Sequence, residues 1–142
     1  MKNVDIYIKD AWTGCFKGTG KAVALAVYED TAGREHKIYT QASVKQESRD
    51  RLQLAALVKG LELLKTRCSV GIYVDNELIK NAINRKWCWN WQQNGWKNAK
   101  GKKVKNADIW EQLVPLLDEH MVIAMGYIAR YEPDVEKALE EE

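Results

Sequence analysis

Cations and aromatic rings are interleaved between Asn84 and Asn106 (NRKWCWNWQQNGWKNAKGKKVKN). The segment holds four of the chain's six tryptophans, Trp87, Trp89, Trp91 and Trp96. It also holds seven basic residues (Arg85, Lys86, Lys97, Lys100, Lys102, Lys103, Lys105) and no Asp or Glu. Elsewhere 15 Lys and Arg face 20 Asp and Glu, so positive charge is concentrated in this one stretch. Cationic side chains neutralise phosphates and aromatic faces meet sugars or bases, a combination suited to nucleic acid. The bland alternative is a helix whose tryptophans face the core and whose lysines face water. Trp87 and Trp91, spaced i and i+4, fit that alternative. A second candidate for chemistry is Asp75, which closes the apolar run Ser69–Val74 and enters a turn with Asn76. A carboxylate there can belong to a site or cap a helix starting near Glu77.

The elements that must position these groups follow from patterning. Val4–Ile8 alternates apolar and polar residues at the period of a strand. Asp10–Lys21 is interrupted by Gly14, Gly18 and Gly20 and reads as a loop. Ala22–Glu29 is apolar without alternation, as expected of a strand buried on both faces, and His36–Ala42 returns after a turn at Gly33. Ser48 can cap a helix reaching about Thr66, with a broad apolar face from Leu52 to Leu64. Ser69–Val74 is a short buried strand, and a helix follows from Glu77 to about Ile83. Asp108–Glu119 is amphipathic, and Pro115 predicts a bend or a late helix start there. Met121–Ala129 reads as a fifth strand, and an acidic helix opens at Pro133. The order predicts an α/β fold with a mixed five-stranded sheet, three antiparallel hairpin strands and then two further strands, flanked by helices.

Bulk properties narrow the class. A chain of 142 residues is sized for one domain, residues 1–142, with a core that needs no metal or disulfide staples. Three widely spaced cysteines (Cys15, Cys68, Cys88) without a CxxC pair predict reduced thiols and a cytoplasmic setting. The amino-terminal residues lack the apolar stretch of a secretion signal, and no apolar run approaches membrane-spanning length. With the apolar faces accounted for by a core, the expected state is a monomer.

Taken together, the residues resemble the ribonuclease H family over nearly the whole chain. The resemblance is densest in Trp87, Asn90-Trp91, Gly95-Trp96-Lys97, Ala99, Lys102, Val104-Lys105-Asn106, Asp108, Trp110 and Leu113. In the bacterial members this segment is similar to the basic handle that grips an RNA/DNA hybrid. Arg51–Ala56 with Leu61-Glu62 resembles the family's first helix, and Ile72–Asn76 its fourth strand with the catalytic turn.

The resemblance implies two Mg²⁺ (or Mn²⁺) ions about 4 Å apart, clamping water's attack on a phosphodiester. It implies four carboxylates to hold them, because Mg²⁺ demands hard oxygen ligands from several elements. Asp75 matches the third. Asp10 matches the first when counted back from the glycines, whereas Lys9 takes that place when counted forward from Val4; a bulge in the strand would turn Asp10 inward. Gln53 stands where the second should be, an amide without the charge, with Asp50 one turn away and read as solvated. The fourth falls on Leu139, among Asp134, Glu136 and Glu140 of a tail read as solvated. The family's loop histidine has no counterpart in Tyr127–Pro133, and His36 and His120 lie elsewhere.

The expectation is therefore a ribonuclease H-fold protein that binds hybrid or a related nucleic acid, with cleavage lost or impaired. Its binding residues would be Arg85, Lys86, Asn90, Trp96, Lys97, Lys100, Lys102, Lys103 and Lys105, and its reaction-site residues Asp10, Gln53 and Asp75. Metal, if held, would rest weakly on Asp10 and Asp75. The alternative is an active Mg²⁺- or Mn²⁺-dependent endoribonuclease with a non-standard ligand set. A third reading is a protein-interaction module whose lysines are incidental.

Overall fold

The computed structural model describes residues 1–141. Strands β1 (Lys2–Gly14), β2 (Gly18–Glu29) and β3 (Glu35–Glu47) form an antiparallel meander. Helix α1 (Arg49–Glu62) leads to β4 (Cys68–Val74), which lies parallel to β1. Helices α2 (Glu77–Asn84), α3 (Trp87–Gln93) and α4 (Ala107–Asp118) precede β5 (Met121–Met125), parallel to β4, and α5 (Glu132–Glu140) ends the fold. The sheet order is β3-β2-β1-β4-β5.

Alternation along the strands divides the core. Val4, Ile6 and Ile8 of β1 and Ala22, Ala24 and Ala26 of β2 pack with the apolar faces of α1, α2 and α4. Tyr7, Val23, Leu25 and Val27 point to the other side, against Val135 and Ala138 of α5. Strand β2 is thus covered on both faces, which explains its uninterrupted apolar sequence. Gly60 lets α1 approach β2, since a Cβ there would lie 2.8 Å from the Ala24 methyl.

Several boundaries differ from the sequence expectation. The stretch Asp10–Lys21 is a long hairpin, not a loop: β1 continues to Gly14 and β2 begins at Gly18. Gly14 lies at the turn against Lys17 O, while Gly18 and Gly20 face the Thr13 and Ala11 carbonyls and Trp12 of β1 too closely for a side chain. A Cβ on Gly18 would meet the indole at 2.7 Å, and one on Gly20 would meet Trp12 Cα at 2.8 Å. Helix α1 is capped by Ser48 as expected, its hydroxyl accepting from Arg51 N–H. It ends at Glu62, before the predicted Thr66, where Leu63 and Leu64 N–H turn to the carbonyls of Gly60 and Leu61. Strand β5 stops at Met125, opposite Tyr73 and one residue short of the end of β4, so the predicted strand to Ala129 is four residues too long. Helix α4 passes through the exposed Pro115 and starts well before it.

Candidate active-site cleft and nucleic-acid interface

The carboxyl-terminal end of β1 brings most of the candidate reaction-site residues into one region. Pairing of β1 with β2 is unbroken from Val4↔Tyr28 to Gly14↔Gly18. The bulge that would turn Asp10 is therefore absent from β1; the register shift lies between β2 and β3, at Gly18/Gly20. Regular alternation places Asp10 on the side of Ile6 and Ile8, facing α1, and Lys9 on the side of Tyr7, facing α5.

Asp10 meets Arg49 at the start of α1. Arg49 Nε donates to Asp10 Oδ2 at 2.7 Å and Nη2 to Oδ1 at 2.9 Å, a two-point ion pair. The Asp10 side chain is only 4% exposed and that of Arg49 50%. The bond to Asp10 raises the Arg49 pKa above its ordinary value, and the charges of Asp75 and Asp50 act in the same direction. Three carboxylates therefore share the field of one guanidinium. Sequence position alone points to such a contact, because a cation in the first turn of a helix opposes the helix dipole and is stabilised by an anionic partner.

Gln53 is buried, and its Oε1 accepts from Asn76 Nδ2 at 2.7 Å. The same amide donates to Asp50 Oδ1 at 2.7 Å, so Asp50 is tied into the cleft and is not a solvated side chain as expected. Asn76 also caps α2, its Oδ1 accepting from Ile79 N–H at 3.0 Å. The capping role considered for Asp75 thus belongs to its neighbour, and Asp75 itself is exposed beside the turn.

On the opposite face the Lys9 ammonium pairs with Glu132 of α5, whose other oxygen accepts from the Tyr127 hydroxyl at 2.7 Å. The bond from Lys9 lowers the Glu132 pKa, and burial with the Glu132 contact raises that of Tyr127. Leu139 packs beneath the Tyr7 cluster and brings no oxygen to the site. His36 pairs with Asp30 at 2.8 Å, and His120 Nδ1 accepts from Cys68 N–H at 3.0 Å; neither reaches the cleft.

This donor set does not suit a pair of hard divalent ions. Arg49 engages both oxygens of Asp10, Asn76 engages Gln53 and one oxygen of Asp50, and an ammonium stands on the α5 side. Among the described residues, no three His, Cys, Asp or Glu side chains come together as a metal-holding group.

The basic segment is built differently. All four tryptophans are half-buried against the core; Trp91 meets Trp110 edge-on at 5.5 Å, and Trp89 Nε1 donates to Asp118 at 2.7 Å. Core packing accounts for the rings, Trp96 included. Beyond α3 the chain turns through Gly95 and Trp96, both at positive φ, into a small hairpin in which Lys97 bridges Lys103. Asn98 organises it: its Oδ1 accepts from the N–H groups of Lys100 at 2.9 Å and Lys102 at 3.1 Å. Lys97, Lys100, Lys102, Lys103 and Lys105 are exposed, and among the described residues none forms an ion pair. Arg85 and Asn90 are also exposed, whereas the Lys86 ammonium lies 4.6 Å over the Trp89 ring. Arg51 joins α1 to the end of the segment through Asp108, at 2.7 and 3.0 Å.

A family model described as RNase H matches residues 2–130. The chain is 37% identical over 122 residues to the Ribonuclease H of Oleidesulfovibrio alaskensis, covering 86% of this chain and 75% of that protein. Its fold is similar to the crystal structure of LC9-RNase H1, a type 1 RNase H with the type 2 active-site motif. The TM-score is 0.78 at 19% identity, with coverage of 96% of this chain and 70% of that one. It is also similar to a foamy viral protease-reverse transcriptase in complex with RNA/DNA hybrid. There the TM-score is 0.70 at 10% identity, covering 97% of this chain and 19% of that one.

Proposed function

Because the chain belongs to the ribonuclease H family, we propose that it binds RNA/DNA hybrid through its lysine hairpin and cleaves it poorly or not at all. The observation that carries the binding half is the set of five exposed lysines from Lys97 to Lys105, unpaired among the described residues, on a hairpin fixed by Asn98. Free ammonium groups on an ordered loop release counterions on meeting phosphates without first breaking protein contacts. The hybrid held by the foamy viral neighbour supports hybrid as the partner. Impaired cleavage is supported by the engaged oxygens of Asp10, the neutral Gln53 and the apolar Leu139. Fluorescence anisotropy with a labelled hybrid at about 50 mM salt, where phosphate contacts are strong, tests binding. The expected result is saturable binding that weakens steeply with salt. The same samples, incubated with Mg²⁺ or Mn²⁺, should show little product; cleavage matching that of the Oleidesulfovibrio relative would overturn the impaired half.

One observation favours a second reading. Asp10 pairs with Arg49, and the charges of Asp75 and Asp50 act on the same guanidinium, so negative charge gathers on this side of α1. An active Mg²⁺- or Mn²⁺-dependent enzyme would use these three, with Asp50 in place of a helix glutamate. Asp75→Asn would then abolish hybrid cleavage, and unchanged cleavage would remove this reading.

A further inference from the structure

We propose that the Arg49 guanidinium is the cleft's own counter-ion, holding Asp10 in a two-point ion pair that keeps divalent cations out. The proposal deepens the reading of the cleft as impaired, and does not depend on nucleic-acid binding. A divalent ion needs carboxylate lone pairs directed at it. Both oxygens of Asp10 are directed at Arg49 instead, and the side chain is otherwise sealed from solvent. A planar guanidinium matches a carboxylate at both oxygens and stays charged throughout the working pH range. Asp50, the neighbour that could add a ligand, has one oxygen committed to Asn76 Nδ2, which also holds Gln53. Arg49 is anchored by its place in the first turn of α1, directly after the Ser48 cap. To admit a metal, the half-exposed Arg49 side chain would have to swing out and leave Asp10 to the ion.

Calorimetric titration of MnCl₂ into the intact protein, without nucleic acid, tests this. The wild type should show no saturable heat in the range where Arg49→Gln binds. Arg49→Gln should bind Mn²⁺ tighter by roughly tenfold or more, the scale of one lost charge-assisted contact. Arg49→Lys, which keeps the charge, should stay near the wild type. Adding Asp10→Asn to Arg49→Gln should erase the gain. Wild-type binding as tight as that of Arg49→Gln overturns the proposal, as does an Arg49→Gln protein that melts cooperatively yet gains nothing. A gain that survives Asp10→Asn overturns it too, because the ion then sits elsewhere. Should Arg49→Gln fail to fold, Mn²⁺ paramagnetic resonance on the wild type and on Asp10→Asn alone still decides: saturable wild-type binding lost in Asp10→Asn refutes the proposal. Failure of hybrid binding would leave every one of these outcomes unchanged.

Discussion

Lys9 and Asp10 are adjacent in sequence and serve opposite faces of the sheet: Lys9 pairs with Glu132 of α5, Asp10 with Arg49 of α1. Unbroken pairing with β2 enforces the split, because one residue along a strand is one change of face. The Asp10 carboxylate is therefore committed to the α1 side, and the α5 side carries an ammonium. Each of the two charges has found a partner on the helix that covers its own face.

The first prediction concerns Gln53→Glu, which puts a carboxylate in place of the buried amide. The side chain is buried, and its one oxygen contact is an Asn76 amide shared with Asp50. A second carboxylate competing for that donor should cost about 1–3 kcal/mol at neutral pH. Burial beside Asp50 would raise the new carboxyl's pKa in the folded state. Its folded form then binds the proton more tightly than the unfolded chain, so stability falls as pH rises above the unfolded value of about 4.3. Urea melts at pH 4 and pH 7 check this: the deficit relative to wild type should be larger at pH 7.

Gly60→Ala sets two effects against each other. Alanine in a helix interior gains about 1 kcal/mol over glycine. The new methyl would sit 2.8 Å from Ala24 Cβ and 3.5 Å from an Ile6 methyl, both on the rigid sheet. Overpacking of this kind costs about 1–3 kcal/mol, so the variant should be net destabilised. Adding Ala24→Gly should recover part of the loss, which a double-mutant cycle of denaturation midpoints would measure.

His120 links stability to mild acid. Its Nδ1 accepts from Cys68 N–H, and burial lowers its pKa, with Arg67 adding to the shift and Glu119 opposing it. A lowered histidine pKa means that the unfolded chain takes the proton first. The stabilising effect is present above the unfolded pKa of about 6.5 and is lost as pH falls below it. His120→Gln should lose about 1 kcal/mol at pH 8 and show a shallower decline between pH 7 and pH 5. Thermal melts across that range provide the measurement.

Local pattern made much of this fold legible. The apolar run of β2 reported burial on both faces, Ser48 reported the start of α1, and the i, i+4 spacing of Trp87 and Trp91 reported core packing. The Gly14–Gly20 stretch carries the glycines of a loop, yet Gly18 and Gly20 answer close approach within a hairpin, where the Thr13 and Ala11 carbonyls and Trp12 leave no room for a Cβ. The cleft was only half legible for a related reason. Matching motifs points to Gln53 and Asp75, but the groups that surround Gln53 and Asp10 are remote in sequence. Arg49 reaches Asp10 across 39 positions, and Lys9 reaches Glu132 across 123. Asp50 reads as solvated from its own helix, since its tie comes from the turn after β4, through Asn76.

The lysine hairpin carries the last prediction. Lys100, Lys102 and Lys103 are exposed, and the backbone around them is held by Asn98 and not by their own side chains. Replacing all three with alanine should leave the melting temperature nearly unchanged, because surface substitutions away from caps and pairs alter stability little. Hybrid affinity should fall for every sequence alike, since phosphate contacts carry no base information. Each lost phosphate contact removes about 0.7–0.9 from the slope of log affinity against log salt, so the triple variant should lose roughly 2 to 3. Anisotropy titrations at several salt concentrations measure that slope. Alanine at Asn98 provides the contrast: it keeps every lysine, loosens the loop, and should weaken binding while leaving most of the salt slope in place. A wild-type slope in the triple variant would assign the phosphate contacts to other residues.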